Sequence, residues 1–400
     1  MDVEKIRLDF PVLQKDRGLI YFDNACTTLK PKQVIAAQTE YYETYSACAG
    51  RSAHHLSKKV DEETAKARET VACFIGAKPS ELIWTKNTSE AINLVAHSFD
   101  FSQKKKVVLT NMEHHSALLP FMHLAKSGKI KTEFALAEKD GTVSSDVFIN
   151  AVDKDTALVV VHHTTNSTGC TAPLKEITKI AHENGALVLI DAAQGAPHHK
   201  IDFRKEDFDF LAFSGHKMLG PTGIGCLVGK EHLLEKLNPF MLGGGTIETV
   251  SLSEMKLHAL PDRFEAGIQN YAGIIGMAAA ANYLMKLGME NIEKYEKELA
   301  TALIDAVKSI PDSTTYGSTT AKARSALLSF NLKNISAHQV ALMSDSLSQI
   351  ALRSGLFCAQ PAMEHMGAPK GAVRASLYIY NTKEEVQIFK DTLQKIAKLA

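Results

Sequence analysis

The chain has 400 residues, 45% of them apolar and 22% charged, with 45 basic residues against 45 acidic ones. That much apolar side chain supports about two or three domains with true cores. A formal charge of zero removes the electrostatic case for nucleic acid or a membrane surface as a partner. Apolar runs such as "AGIIGMAAAA" fall short of the roughly 20 residues that cross a bilayer. The opening "MDVEKIRLDF" has acids where a signal peptide needs bases, so a soluble, cytoplasmic protein is expected. The cysteines at 26, 48, 73, 170, 226 and 358 form no CxxC pair, which speaks against a disulfide framework or a zinc finger. Five of them read as small apolar residues, and Cys358 is weighed separately below.

Helical patterns and short apolar runs alternate along the chain. "LSKKVDEETAKARETVACFIG" sets Leu56, Val60, Ala67, Val71 and Phe74 on one helical face, with Gly76 as the stop. A strand "ELIWT" follows, then a helix from about Ser89, a strand "KVVLT", a helix around Leu119 to Lys126, and a strand "KTEFAL". "ALVVVHH" precedes the helix "PLKEITKIAHENG", which ends at Asn184 and Gly185. The strands "ALVLIDAAQ", "FDFLAFS" and "GCLVGK" come next. Val/Ile/Leu runs without alternation, separated by helices, predict an α/β domain with a mostly parallel sheet covered on both faces. After about residue 275 the pattern changes to the amphipathic helices "NIEKYEKELATALIDAVKSI" and "TKEEVQIFKDTLQKIAKL", with strands "ALLSFNL" and "GAVRASLYIY" between them. The last helix opens on a capping box, Thr382 to Glu385. The expected division is a large domain over 18–275 and a smaller α+β domain from 1–17 and 276–400.

In an open parallel sheet, ligands bind beyond the carboxyl ends of the strands. Chemistry-bearing residues gather at those ends here. Glu113, His114 and His115 follow "KVVLT", and Asn166 follows "ALVVVHHTT". Asp191 and Gln194 close "ALVLI", while Ser214, His216 and Lys217 close "FDFLAF". Pyridoxal phosphate requires such a set. Its aldehyde needs a buried, partly neutral lysine amine, and Lys217 is the candidate. Its ring nitrogen needs a carboxylate such as Asp191. Its phosphate needs hydroxyls and a helix N-terminus, which Thr88 and Ser89 of "TKNTSEAINLVA" supply with Glu90 opening the helix. A histidine closing "KVVLTNMEH" suits an aromatic plate on the ring. Each residue alone also has a plain reading: a surface lysine, an Asp that caps a helix, a "NTSE" cap. The histidine pairs suggest metal, but neighbours on a strand point to opposite faces and no HExxH is present. Cys358 lies in the Gly- and Pro-bounded stretch "SGLFCAQPAMEHMG", which reads as a loop, a setting that favours chemistry over packing.

The blocks "YFDNACTTLKP", "NTSEAINLVAHS", "MEHHSALLP", "IDAAQ", "SGHKMLGPTGIG", "FEAGIQN", "LRSGLFCAQP" and "RASLYIYNT" occur in one order. In this the chain resembles the class V aminotransferase-fold enzymes, and within them the Suf-type branch of cysteine desulfurases and selenocysteine lyases. The resemblance runs from about residue 18 to 390. It implies the type I fold of pyridoxal-phosphate transferases and a homodimer with the active site at the subunit boundary. "MLGGGTIETV" and "FEAGIQN" are expected at that seam. Lys217 would then hold the cofactor as a Schiff base, Asp191 its ring nitrogen and Gln194 its phenolic oxygen. His114 would stack on the ring, and Ser89, Ser214 and His216 would hold the phosphate with Thr88 beside them. Asn166 would lie near the substrate amine, Arg374 would clamp the substrate carboxylate with Arg353 nearby, and Cys358 would take the sulfur. The implied reaction converts L-cysteine to L-alanine with a persulfide on Cys358, for iron–sulfur cluster assembly or another thiolation through a sulfur-acceptor protein. The alternative is a selenocysteine lyase or another lyase or epimerase of the same fold.

Two departures from that family pattern stand out. The family's His-Arg-Gly-x-His reads "GRSAH" here, so Gly50 replaces the first histidine while Arg51 and His54 match; nearby Cys48 has no family explanation. The family's Glu-x-Gly-Thr reads "EAGI", so Ile268 lacks the hydroxyl that reaches a neighbouring subunit's phosphate, and backbone N–H groups or Gln269 are expected to substitute.

Overall fold

The computed structural model describes residues 1–50, 52–321 and 324–399. A seven-stranded sheet holds β1 (Leu82–Thr85), β2 (Lys106–Thr110), β3 (Lys131–Ala135), β4 (Thr156–His162), β5 (Leu187–Asp191), β6 (Phe210–Ser214) and β7 (Gly225–Gly229). Their spatial order is β1-β7-β6-β5-β4-β2-β3, and β7 alone runs against its neighbours. The mostly parallel sheet expected from the apolar runs is therefore present. The period of two along each strand divides its residues between two covers. Val159, Val161, Val188 and Ile190 enter one core with the helices Lys32–Thr44, His55–Ile75, Leu174–Glu183 and Tyr271–Leu287. Leu158, Val160 and Leu189 enter a second core with the helices Thr88–Ser98 and His115–Lys126. Burying each such side chain contributes roughly 1.5–3 kcal/mol, which is why β4 needs no polar face.

Local chemistry sets the element ends. Gly76 takes φ +72° and closes its helix; a Cβ there would sit 2.6 Å from the Asp202 carboxylate. The helix expected from Leu119 begins earlier, at His115, because the His114 Nδ1 accepts from the Ser116 N–H at 3.0 Å and caps it. Likewise the helix expected from Ser89 begins at Thr88, where the Asn87 side chain accepts from the Glu90 N–H at 3.0 Å.

A second, antiparallel sheet is formed by β8 (Ser313–Tyr316), β9 (Leu327–Leu332), β10 (Arg353–Gly355) and β11 (Ala372–Ser376), in the order β8-β9-β11-β10. Its own core joins Leu328, Phe330 and Val373 to Leu303 and Val307 of helix Met289–Lys308 and to Phe389 and Leu393 of helix Lys383–Ala397. The Thr382–Glu385 capping box is formed in both directions, at 3.2 and 3.1 Å. Residue 275 falls inside the helix Tyr271–Leu287, whose apolar residues through Leu284 pack into the larger core. An antiparallel hairpin, Ile247–Val250 with Met255–Leu257, carries Val250, Leu252 and Met255 exposed, and Met241, Leu242 and Ile268 in flanking segments are exposed too. Among the described residues no helix is long and apolar enough to cross a membrane.

Candidate active site

The carboxyl ends of β1, β2, β4, β5 and β6 and one edge of the second sheet close around a cavity of about 460 Å³. Thr88, Ser89, His114, Asn166, Asp191, Gln194, Ser214, His216, Lys217, Arg353, Cys358 and Arg374 all line it. Every site residue expected from the sequence is thus brought to one place.

Lys217 ends the short 3-10 turn Gly215–Lys217 just past β6. The turn is held from outside: the Thr27 and Thr28 hydroxyls donate to the His216 carbonyl at 3.1 Å each, and the Lys30 ammonium at 2.9 Å. Lys217 itself forms no hydrogen bond or ion pair among the described residues, so its amine is free for a ligand. Burial lowers its pKa, Asp191 pulls the other way, and Arg374 adds to the lowering. Asp191 is buried at the end of β5, with Oδ1 accepting from the Ala193 N–H at 2.9 Å and Oδ2 unpaired on the cavity side. Burial raises its pKa, against the Ala193 N–H and the Lys217 charge. Gln194 donates to the Ala25 carbonyl at 2.7 Å, which fixes its amide over the cavity.

At the opposite end the N-terminus of helix Thr88–Ser98 points inward. The Thr88 N–H donates to the Ser214 Oγ at 2.8 Å, and the hydroxyls of Thr88 and Ser214 share a bond of 2.6 Å. The Ser89 hydroxyl pairs with that of Ser116 at 2.6 Å. Gly225 allows this approach: a Cβ on it would sit 2.7 Å from the Asn87 Cα. Hydroxyls at a helix N-terminus make an anion seat. The His216 ring beside it has its pKa lowered to about 4, by burial first and then by the Lys217 and Lys30 charges. Burial, with help from Lys217, lowers that of His114 to about 3, so its ring is neutral near pH 7.

The second sheet delivers the cations. Arg353 and Arg374 are directly opposed in the β10–β11 register. Asp23 bridges them, at 3.0 Å to Arg353 and 3.4 Å to Arg374. Arg374 also donates to the Asn166 carbonyl at 3.0 Å and stacks over the Phe357 ring at 4.9 Å, while its Nε is buried without a partner. Cys358 lies exposed on the loop between β10 and helix Gln360–His365, as its Gly- and Pro-bounded setting suggests. Phe357 and Cys358 both take left-handed φ, +56° and +54°. The Asn166 amide donates to the Phe357 carbonyl at 2.6 Å and the His115 N–H to the Cys358 carbonyl at 2.7 Å.

Several residues of the site were not singled out from sequence. Cys26, read there as a bland apolar residue, lines the cavity with its Sγ 2.6 Å from the Arg353 guanidinium. The physical source is that the segment holding Cys26 packs on Ser376 of β11, with the Ala25 N–H donating to its hydroxyl at 2.9 Å across 351 residues of chain, which no local pattern reports. His162 also lines the cavity, where it ends β4 as the register partner of Asp191 at the end of β5. Its neighbour His163 turns to the other face and stacks on His199 at 5.1 Å. The divergent stretches lie elsewhere. Gly50, Cys48, Ile268 and Gln269 line a separate cavity of about 660 Å³. There the Gln269 amide donates to the Ala266 and Gly267 carbonyls at 3.3 Å each, and Ile268 is 73% exposed. His54 caps the helix His55–Ile75, and Arg51 lies outside the described residues.

The free amine of Lys217, the unpaired Asp191 oxygen and the hydroxyl-lined helix terminus fit an aldehyde, a protonated ring nitrogen and a phosphate, the three handles of pyridoxal phosphate. Comparison with known proteins agrees with this class. Residues 20–389 match the family "Aminotransferase class-V". The chain is 41% identical to a probable cysteine desulfurase of Methanothermobacter thermautotrophicus, covering 99% of this chain and 98% of that one. It is 39% identical to a cysteine desulfurase of Escherichia coli O7:K1, with coverage of 99% and 98%. The apo structure of a cysteine desulfurase from Thermococcus onnurineus NA1 superimposes with a TM-score of 0.95 at 40% identity, covering 99% of this chain and 98% of that one. The chain belongs to the class-V aminotransferase family.

Proposed function

We propose that this chain is a pyridoxal-phosphate-dependent cysteine desulfurase, which converts L-cysteine to L-alanine and leaves the sulfur as a persulfide on Cys358. The observation that carries the reading is one cavity holding an unpaired lysine amine, two opposed arginines and a loop cysteine. When bound, the cofactor supplies an electron sink for the pair released at the substrate α-carbon. Lys217 would be its attachment point, Asp191 would hold the ring nitrogen, Gln194 the phenolic oxygen, and the neutral His114 would lie against the ring. Thr88, Ser89, Ser214 and His216 surround the phosphate seat. Arg374, with its free Nε, takes the substrate carboxylate, and Arg353 adds the second positive charge. Asn166 stands beside the substrate amine. Lys217, its pKa lowered by burial, is suited to take the α-proton and to return one to the product. The Cys358 thiolate attacks the substrate sulfur, the new S–S bond forms as the C–S bond breaks, and the electron pair remains with the carbon that becomes the alanine methyl.

The exposed apolar residues of the 247–257 hairpin and of the segments holding Met241 and Ile268 support a homodimer through that face. A cytoplasmic location and an acceptor protein for the persulfide sulfur complete the reading, for cluster assembly or another thiolation. The test is alanine release from L-cysteine, with and without reductant. Cys358→Ser is expected to bind pyridoxal phosphate as the wild type does and to release no alanine from cysteine; turnover retained in that variant removes the nucleophile assignment.

A further inference from the structure

The loop that carries Asn166, between β4 and the helix Leu174–Glu183, turns four consecutive carbonyls toward the second sheet. The Asn166 carbonyl accepts from the Arg374 Nη1 at 3.0 Å, and the Ser167 carbonyl from the Ser329 hydroxyl. The Thr168 carbonyl accepts from the Arg324 guanidinium, and that of Gly169 from the Ser325 N–H at 2.9 Å. Ser329 and Arg374 are directly opposed in the β9–β11 register, just as Arg374 and Arg353 are across β10–β11. Opposed residues on antiparallel strands share a face, so one row across the sheet both grips the loop and carries the two arginines. Ser329 and Arg324 are almost completely buried and are not among the residues that line the cavity. Arg324 donates in addition to the Ser318 and Leu327 carbonyls, so backbone oxygens surround its charge. The loop is braced from within as well: the Thr165 Oγ1 accepts from the Thr168 N–H at 2.9 Å, and the Thr165 carbonyl from the Gly169 N–H at 3.0 Å.

We propose that Ser329 and Arg324 are positioning residues for the Arg374 clamp: by fixing the Ser167 and Thr168 carbonyls they hold the Asn166 carbonyl against Arg374, which leaves the Arg374 Nε free for the substrate carboxylate. Arg374 has few other restraints. Its second polar partner is Asp23 at 3.4 Å, and its Nε is buried with none. If the loop shifts, the substrate must order that long side chain itself, at a cost in affinity. The carboxylate lies away from the bond that breaks, so the loss falls on binding and not on the chemical step. This inference rests on the assignment of Arg374 to the substrate carboxylate made above, and its test separates the two.

Holoenzyme of the wild type and of Ser329→Ala is titrated with L-alanine and with ethylamine, which is alanine without its carboxylate, reading the absorption of the bound cofactor. Ser329→Ala removes one hydroxyl and keeps the strand. It is expected to weaken alanine binding about fivefold, the effect of one lost hydrogen bond, and ethylamine binding by less than about twofold. In turnover the KM for L-cysteine is expected to rise by about the same factor as alanine binding falls, with kcat within about twofold of the wild type. Wild-type affinity for alanine in Ser329→Ala, an equal loss for alanine and ethylamine, or a loss confined to kcat overturns the proposal. If Ser329→Ala shows no cooperative thermal transition, Arg324→Lys, which keeps a cation but loses the planar fork of donors, is read by the same criteria. Equal affinity of the wild type for alanine and ethylamine removes the Arg374 assignment instead, and no alanine release from L-cysteine by the wild type removes the functional assignment.

Discussion

The turn that carries Lys217 and the loop that carries Cys358 face one cavity but are held in opposite ways. Lys217 follows a buried strand, and Thr27, Thr28 and Lys30 grip the backbone just before it, with Leu219 donating to the Thr28 hydroxyl at 3.0 Å just after. Cys358 is exposed, and its loop is fixed through backbone carbonyls by Asn166 and His115. Two successive non-glycine residues in left-handed φ cost roughly 1–2 kcal/mol each, so that loop needs those two bonds to keep its shape. A covalent anchor gains from rigidity because it must meet one atom of a bound cofactor. A sulfur carrier must reach the substrate and then an acceptor, which favours a segment held by a few bonds that can open.

The largest effect tests the rigid side. Lys217→Ala is expected to lower alanine formation by roughly 10²–10⁴-fold and to abolish borohydride-stable attachment of the cofactor, read by mass spectrometry of the intact chain. Attachment persisting in that variant breaks the contrast at its root. The loop side is tested by Gly371→Ala. Gly371 has φ +88° and a Cβ there would sit 2.7 Å from the Gly355 carbonyl, at the base of the Cys358 loop. About 1–3 kcal/mol of overpacking is expected to slow persulfide formation on Cys358 while the cofactor absorption stays at its wild-type position; a spectral change instead shows that the two regions are coupled.

The smallest effect is on stability against pH. His114 has its pKa lowered in the folded chain from 6.5 to about 3, mainly by burial. Its neutral form is therefore favoured by folding, and that contribution is complete above pH about 6.5 and lost progressively as pH falls toward 3. His114→Gln apoprotein is expected to lose less melting temperature than the wild type between pH 7 and 4.5. An identical decline in both proteins places the acid sensitivity elsewhere, with His216 as the next group to substitute.

Much of this was legible before any coordinates. Unbroken apolar runs marked the strands of the parallel sheet, and their carboxyl ends marked the rim where Asp191, Ser214 and Lys217 stand. The Thr382–Glu385 box and Gly76 announced helix ends because the partners lie within four residues. The helix Tyr271–Leu287 was passed over, since residues apolar on all sides show no amphipathic period although they fill the larger core. Cys26 read as a small apolar residue and Asp23 was not singled out, and only the packing of their segment against β11 sets them beside Arg353 and Arg374. The Glu113–His162 bond joins residues 49 positions apart and had no local signature.

The sequence by itself determined the chemical inventory of this protein, because residue types at strand ends follow from periodicities that act over a few residues. The tertiary structure decided which members of that inventory share a cavity, which are neutral and which stay unpaired. Those properties depend on distances between remote segments and on burial, and neither exists until the two sheets close on each other.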